Sequence, residues 1–184
     1  MSLALFTPDA NRQALGIVAN LPELDRDDGL VALEKLSLVN RKAGRSSFLP
    51  LTKTFAAAEL QRHADFEKEA GRRWVDYLRS ISKVPDGEYS WLHQDYAFYD
   101  EEVNIIEALQ WSYVHGTSED VFELALAANN YLDFKGNWNL ALIVIEQALE
   151  LARSIQKGLA IARLTNIRAW IVLQRGEYQV ARAF

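Results

Sequence analysis

Two short stretches decide how this chain is read: Gly136-Asn137-Trp138-Asn139-Leu140-Ala141 and, forty residues later, Gly176-Glu177-Tyr178-Gln179-Val180-Ala181. Each follows an apolar helical run and opens another. A glycine accepts the left-handed backbone that ends a helix, and the small alanine lets the next helix approach closely. Two such punctuation marks at a fixed offset predict stacked helical hairpins, an α-α superhelix in which no unit buries its face alone.

Working outward from these turns, the run from Trp138 to Ile155 carries Leu142, Ile145, Ala148, Leu149, Ala152 and Ile155 at helical spacing, and Gly158 separates it from a helix over 159–174. Upstream, Thr117-Ser118-Glu119-Asp120 reads as a helix start with acids at the positive end of the dipole, and that helix runs to about Lys135. Before it lies a helix from Glu101 to His115, closed by Gly116, with Val103, Ile106, Ala108, Leu109, Trp111 and Tyr113 as its expected core. Alanines at 141, 148, 152, 162, 169 and 181 suit close helix packing. Because the pattern continues to Phe184 without a polar cap, the chain is expected to be an excised part of a longer protein, with Met1-Ser2-Leu3 as a cloning leader.

The N-terminal half reads differently. Thr7-Pro8-Asp9 predicts a helix cap with Pro at the first helical position and a helix to about Asn20, ended by Leu21-Pro22. Asp25-Arg26-Asp27-Asp28-Gly29 reads as a turn before a second helix with Leu30, Val31, Leu33 and Leu36. A strand-like stretch over 37–42, a turn at Ala43-Gly44-Arg45-Ser46 and a return strand over 47–51 predict a small hairpin. A helix over 52–63 with Phe55, Ala56, Ala58, Glu59 and Leu60 inward completes a degenerate winged-helix unit over 1–63. The connector region, 64–99, holds a long helix over 65–83 with the stripe Phe66, Ala70, Trp74, Tyr77, Leu78 and Ile81. It continues through the break Val84-Pro85-Asp86-Gly87-Glu88 into an aromatic linker with Tyr89, Trp91, Tyr96, Phe98 and Tyr99. Residues 100–184 form the helical repeats.

Composition bounds the function. The chain has 184 residues, 49% of them hydrophobic, with nine glycines and four prolines, which suits a mainly α fold better than a turn-rich β one. It has no cysteine, so disulfides, thiolate metal sites and a cysteine nucleophile are excluded. No apolar run approaches the roughly 20 residues of a membrane-spanning helix, and no secretion signal follows Met1. The expectation is a soluble, cytoplasmic protein. Residues 93–184 carry seven Lys/Arg against twelve Asp/Glu, an acidic half poorly suited to a broad nucleic-acid surface.

The second half resembles tetratricopeptide-type repeats, best in Ala162-Arg163-Leu164-Thr165-Asn166-Ile167-Arg168-Ala169-Trp170 followed by Gly176 to Ala181, although the spacing exceeds the usual one. The order of modules resembles the STAND-type (NB-ARC-like) signalling ATPases. Leu30 to Leu60 is similar to their winged-helix region, the likeness continues through Arg72-Arg73-Trp74-Val75-Asp76-Tyr77-Leu78, and Glu102 to Trp111 is similar to the phrase that precedes their repeats. The resemblance implies a parent protein in which an upstream P-loop module switches between nucleotide states, the winged helix packs on it, and the repeats sense a protein or ligand. No G-x-x-x-x-G-K-[ST] stretch occurs in this chain, so ATP binding is not expected of it.

No residue set points to catalysis. His63, His93 and His115 are 30 and 22 residues apart and form no paired-ligand spacing, so no metal or cofactor is expected. His93 with Asp95 lacks a supporting motif, and Asp27-Asp28 and Glu101-Glu102 are explained as helix-start acids. The reading is a non-enzymatic regulatory and protein-interaction fragment. Its partners are expected to be a protein or peptide on the repeats and an upstream nucleotide-binding module, through recognition residues that the sequence leaves unidentified. The alternative is a winged-helix DNA-binding transcription regulator in which Arg41, Lys42 and Arg45 contact phosphate. The acids Asp25, Asp27, Asp28 and Glu34 on the presumed recognition helix oppose that reading.

Overall fold

The computed structural model describes residues 1–82 and 100–182 and is mainly helical, with one three-stranded antiparallel sheet. It divides into two compact units, Met1–Ile81 and Ser82–Phe184. The predicted break at 84–88, the aromatic stretch 89–99, and His93 with Asp95 lie outside the described residues.

In the first unit a 3-10 turn, Ser2–Leu5, precedes strand β1 (Ala10–Asn11), helices α1 (Arg12–Ala19) and α2 (Glu23–Lys35), strands β2 (Val39–Lys42) and β3 (Arg45–Phe48), and helices α3 (Pro50–Arg62) and α4 (Ala64–Ile81). The predicted helix start at Pro8 is corrected. Asn11 supplies the cap, its Oδ1 accepting the Ala14 N–H at 2.8 Å, while Ala10 and Asn11 pair with Ser46 and Arg45 of β3. Thr7 instead accepts a hydrogen bond from Lys53 Nζ at 2.7 Å. The predicted turn at 25–29 is also corrected: those residues lie inside α2, which starts directly after Pro22. Glu23 and Asp25 fall in its first turn, where acids suit the helix dipole, and Asp27 is held by Arg12 and Arg26.

The sheet order is β1-β3-β2. The hairpin turns on Ala43 and Gly44, both at positive φ (50° and 78°), between the paired residues Lys42 and Arg45. That geometry is the two-residue loop whose twist matches the strands. The return strand therefore lies at 45–48 rather than 47–51, and Pro50, unable to donate in a sheet, becomes the first residue of α3. Helix α3 buries Ala56 and Leu60 but leaves Phe55 69% exposed and Ala58 exposed, against expectation. Helix α4, expected as a connector, packs on α1, α3 and the 3-10 turn. Its Ala70, Trp74, Val75 and Leu78 are buried, and Phe6 meets Trp74 edge-on at 5.8 Å. The stripe closes the first unit's own core.

In the second unit helices α5 (Glu102–His115), α6 (Ser118–Phe134), α7 (Trp138–Ser154), α8 (Gly158–Gln174) and the short α9 (Tyr178–Ala181) pack each on the next. Their period is twenty residues, with α6 to α9 starting at 118, 138, 158 and 178. The two glycine turns of the sequence are alternate members of a series of three. Gly136, Gln156 and Gly176 sit at φ 68°, 57° and 79°, each donating three residues back while the following N–H donates five back. The middle turn was assigned to Gly158, which instead begins α8. Gln156 hides it, having no glycine to announce a left-handed residue. Helix α6 is capped by Thr117 and Asp120, which exchange side chain to backbone bonds in both directions.

The core follows the same period. Asn104, Leu124, Val144 and Leu164 form one buried column, and Ser112, Leu132, Ala152 and Val172 another. Ala108, Ala128 and Ala148 form a third, in which small side chains let neighbouring helices close up; the next member, Arg168, bonds Glu146 at 3.1 Å instead. In α5 the buried face is turned from the expected one, toward Asn104, Ile105 and Ser112 and away from Val103. Two of its positions are polar side chains satisfied locally. Asn104 Nδ2 donates to Glu101 Oε2 at 2.6 Å and Ser112 Oγ to the Ala108 carbonyl at 2.7 Å, so hydropathy pointed to the adjoining face. Ile155, expected as core, is exposed, and so is Tyr178, the aromatic of the second glycine turn.

Candidate functional site

The cations expected to form a nucleic-acid surface are largely engaged within the first unit. Arg41 Nη1 lies 3.4 Å from Glu34 Oε2, and Arg45 pairs with Asp9. A cleft of about 1020 Å³ bordered by Arg12, Arg26 and Arg73 is likewise spoken for. Arg12 and Arg26 share Asp27, whose carboxyl is pulled down to about 2 chiefly by the Arg26 hydrogen bond and further by Arg12. Arg73 Nε donates to the Val18 carbonyl at 2.9 Å.

The histidines do not converge. His63, which caps the end of α3, lies 3.3 Å from Glu59 one turn back, and the His115 ring stacks on Trp111 at 4.9 Å. Among the described residues no group of three His, Asp or Glu side chains is placed to hold a metal ion. Glu101 is buried beside Asn104, and Asp27 serves the arginines, so neither acid pair presents a free carboxylate couple. No helix of the described residues is long and apolar enough to cross a membrane.

A different arrangement stands out in the second unit. The C-terminal end of α6, the second half of α8, and α9 with Arg182 after it border a groove of about 790 Å³. Asn129, Asn130 and Asp133 come from α6, Asn166 and Trp170 from α8, and Tyr178 from α9. The twenty-residue period brings them together, because alternate helices of the series, α6 and α8, turn the same positions to one groove. Trp170 is 50% and Tyr178 63% exposed, giving the groove aromatic walls open to solvent. Asn129 is only 8% exposed, and its Oδ1 is buried without a hydrogen-bond partner.

That carboxamide departs from the pattern around it. The positions in register with Asn129 are Leu109, Leu149 and Ala169, all apolar. A buried amide oxygen left unbonded costs about 1–3 kcal/mol, so its place beside an open groove needs a reason that packing does not supply. On the opposite face, Tyr113 and Glu150 border a second depression with Gln110 and Gln147, and burial together with Glu150 pushes the Tyr113 phenol up to about 12. The sequence points to the buried alanines at 141, 148 and 152 but not to the groove. Its only signal was an asparagine in an otherwise apolar column, visible once the period is taken as twenty rather than forty.

The chain matches no protein-family model, and searches of curated proteins and of solved structures return no match.

Proposed function

We propose that this chain is a non-catalytic regulatory and protein-interaction module whose helical array receives a protein or peptide partner in the α6/α8 groove. The observation that carries the reading is that groove: open, aromatic-walled, and lined with amide side chains able to donate and accept hydrogen bonds together. The twenty-residue period of α6 to α9 supports reading the array as a tetratricopeptide-like superhelix, in which alternate helices line one face.

The first unit supports a winged-helix reading. β1, α1 and α2 precede a hairpin whose second strand pairs back on β1, so the two helices sit between strands of one sheet. In the parent protein suggested by the resemblance to STAND-type signalling ATPases, this unit would relay partner binding to an upstream nucleotide module. The paired state of Arg41 and Arg45 favours that relay role over DNA binding.

The test is binding of short peptides selected by display on the purified chain, measured by fluorescence anisotropy. Trp170→Glu should abolish saturable binding and Ile143→Glu, an exposed change on α7, should not. If both variants bind like the parent, or if no peptide is selected, the groove is not the receiving surface.

A further inference from the structure

We infer that the groove reads the main chain of an extended peptide through Asn129 and prefers segments that pair an apolar side chain with a basic one. This rests on the groove being the interaction surface, and adds what the surface recognises. The unmatched Oδ1 of Asn129 is an acceptor held where no side chain of the array satisfies it. The χ2 torsion of an asparagine is broad, so a small rotation offers an incoming group the oxygen or the Nδ2 donors.

A residue in an extended strand turns its own N–H and C=O to the same side, in the spacing that a carboxamide pairs with both ways. A helical ligand has already spent those groups on itself, so the occupant is an extended strand. Asn130 and Asn166 stand beside Asn129 on the two bordering helices, giving further amides along the groove without adding charge.

The side-chain preference follows from the walls and the field. Trp170, half exposed, and Leu173 offer an apolar surface for one ligand side chain. Asp133 and Arg182 both border the groove and offset one another, so the preference follows from the wider field: residues 93–184 carry twelve acids against seven Lys/Arg, and a basic side chain meets a favourable potential where an acidic one does not.

Display of short random peptides on the whole chain tests this directly. The expected result is enrichment of sequences with Lys or Arg near an aromatic or aliphatic residue. Their affinity should fall about tenfold for Asn129→Leu and for a peptide N-methylated at one backbone position, and Asp133→Lys should shift selection toward acidic peptides. Leu stands at both neighbouring register positions, so Asn129→Leu should keep its helical circular dichroism, which is checked first. Peptides that bind in a Trp170-dependent way yet ignore Asn129→Leu and N-methylation would overturn the main-chain reading while leaving the groove as the interaction surface. Enrichment of acidic peptides by the parent chain would overturn the charge preference. Selection of no peptide would overturn both the inference and the proposal beneath it.

Discussion

Asn129 in α6 stands in register with Leu149 in α7, twenty residues on, and both are buried, yet only the leucine is satisfied by its surroundings. A polar group in an apolar column trades stability for something else. Asn129→Leu should therefore raise unfolding stability by about 1–2 kcal/mol while weakening peptide binding. Urea denaturation checks the first half. A variant that is both less stable and weaker in binding would mean that Asn129 is a packing residue.

The turn at Gln156 should carry strain that its partners at Gly136 and Gly176 avoid, since a side chain is placed at φ 57° where they have none. Gln156→Gly is expected to stabilise the chain by about 1 kcal/mol, and Gly136→Ala to destabilise it by about the same amount. Thermal unfolding of the two variants gives the comparison, and shifts of the same sign would contradict the equivalence of the turns.

Burial separates Leu149 from Tyr178. Leu149 is 1% exposed, so Leu149→Ala should cost about 3 kcal/mol through lost burial and the cavity left behind. Tyr178→Ala, at a groove edge, should change stability by no more than about 0.5 kcal/mol. Equal losses at the two positions would place Tyr178 back in the core.

Acid should act on the first unit through Asp27. Its carboxyl titrates at about 2 in the folded chain against an ordinary 3.8, because Arg26 and then Arg12 hold the charged form. A depressed acid contributes stability that is fully present above the unfolded value and is lost as pH falls through the folded one. The loss should fall between those two values, and Asp27→Asn should remove that part of the acid limb. The check is urea unfolding of both chains across this pH range; an unchanged limb in the variant would mean that Asp27 does not contribute.

Helical class and most element positions were legible because apolar spacing and glycine punctuation act locally: the capping box at Thr117 and the ends at Gly136 and Gly176 are written in residues that suit only those backbones. The start of α1 was not, because Asn11 competes with Thr7-Pro8 through pairing to Arg45, thirty-four residues away. The face of α5 was hidden by polar residues satisfied within the helix. The groove was hidden for a related reason. It is made by side chains forty residues apart, and the intervening turn carries glutamine where its counterparts carry glycine.

The most direct measurement is amide hydrogen exchange of the whole chain with and without a display-selected peptide. The account predicts added protection in the second halves of α6 and α8, around 129–133 and 166–173, with the hairpin at 39–48 unchanged. Protection confined to that hairpin, or to the face formed by α5 and α7, would contradict it.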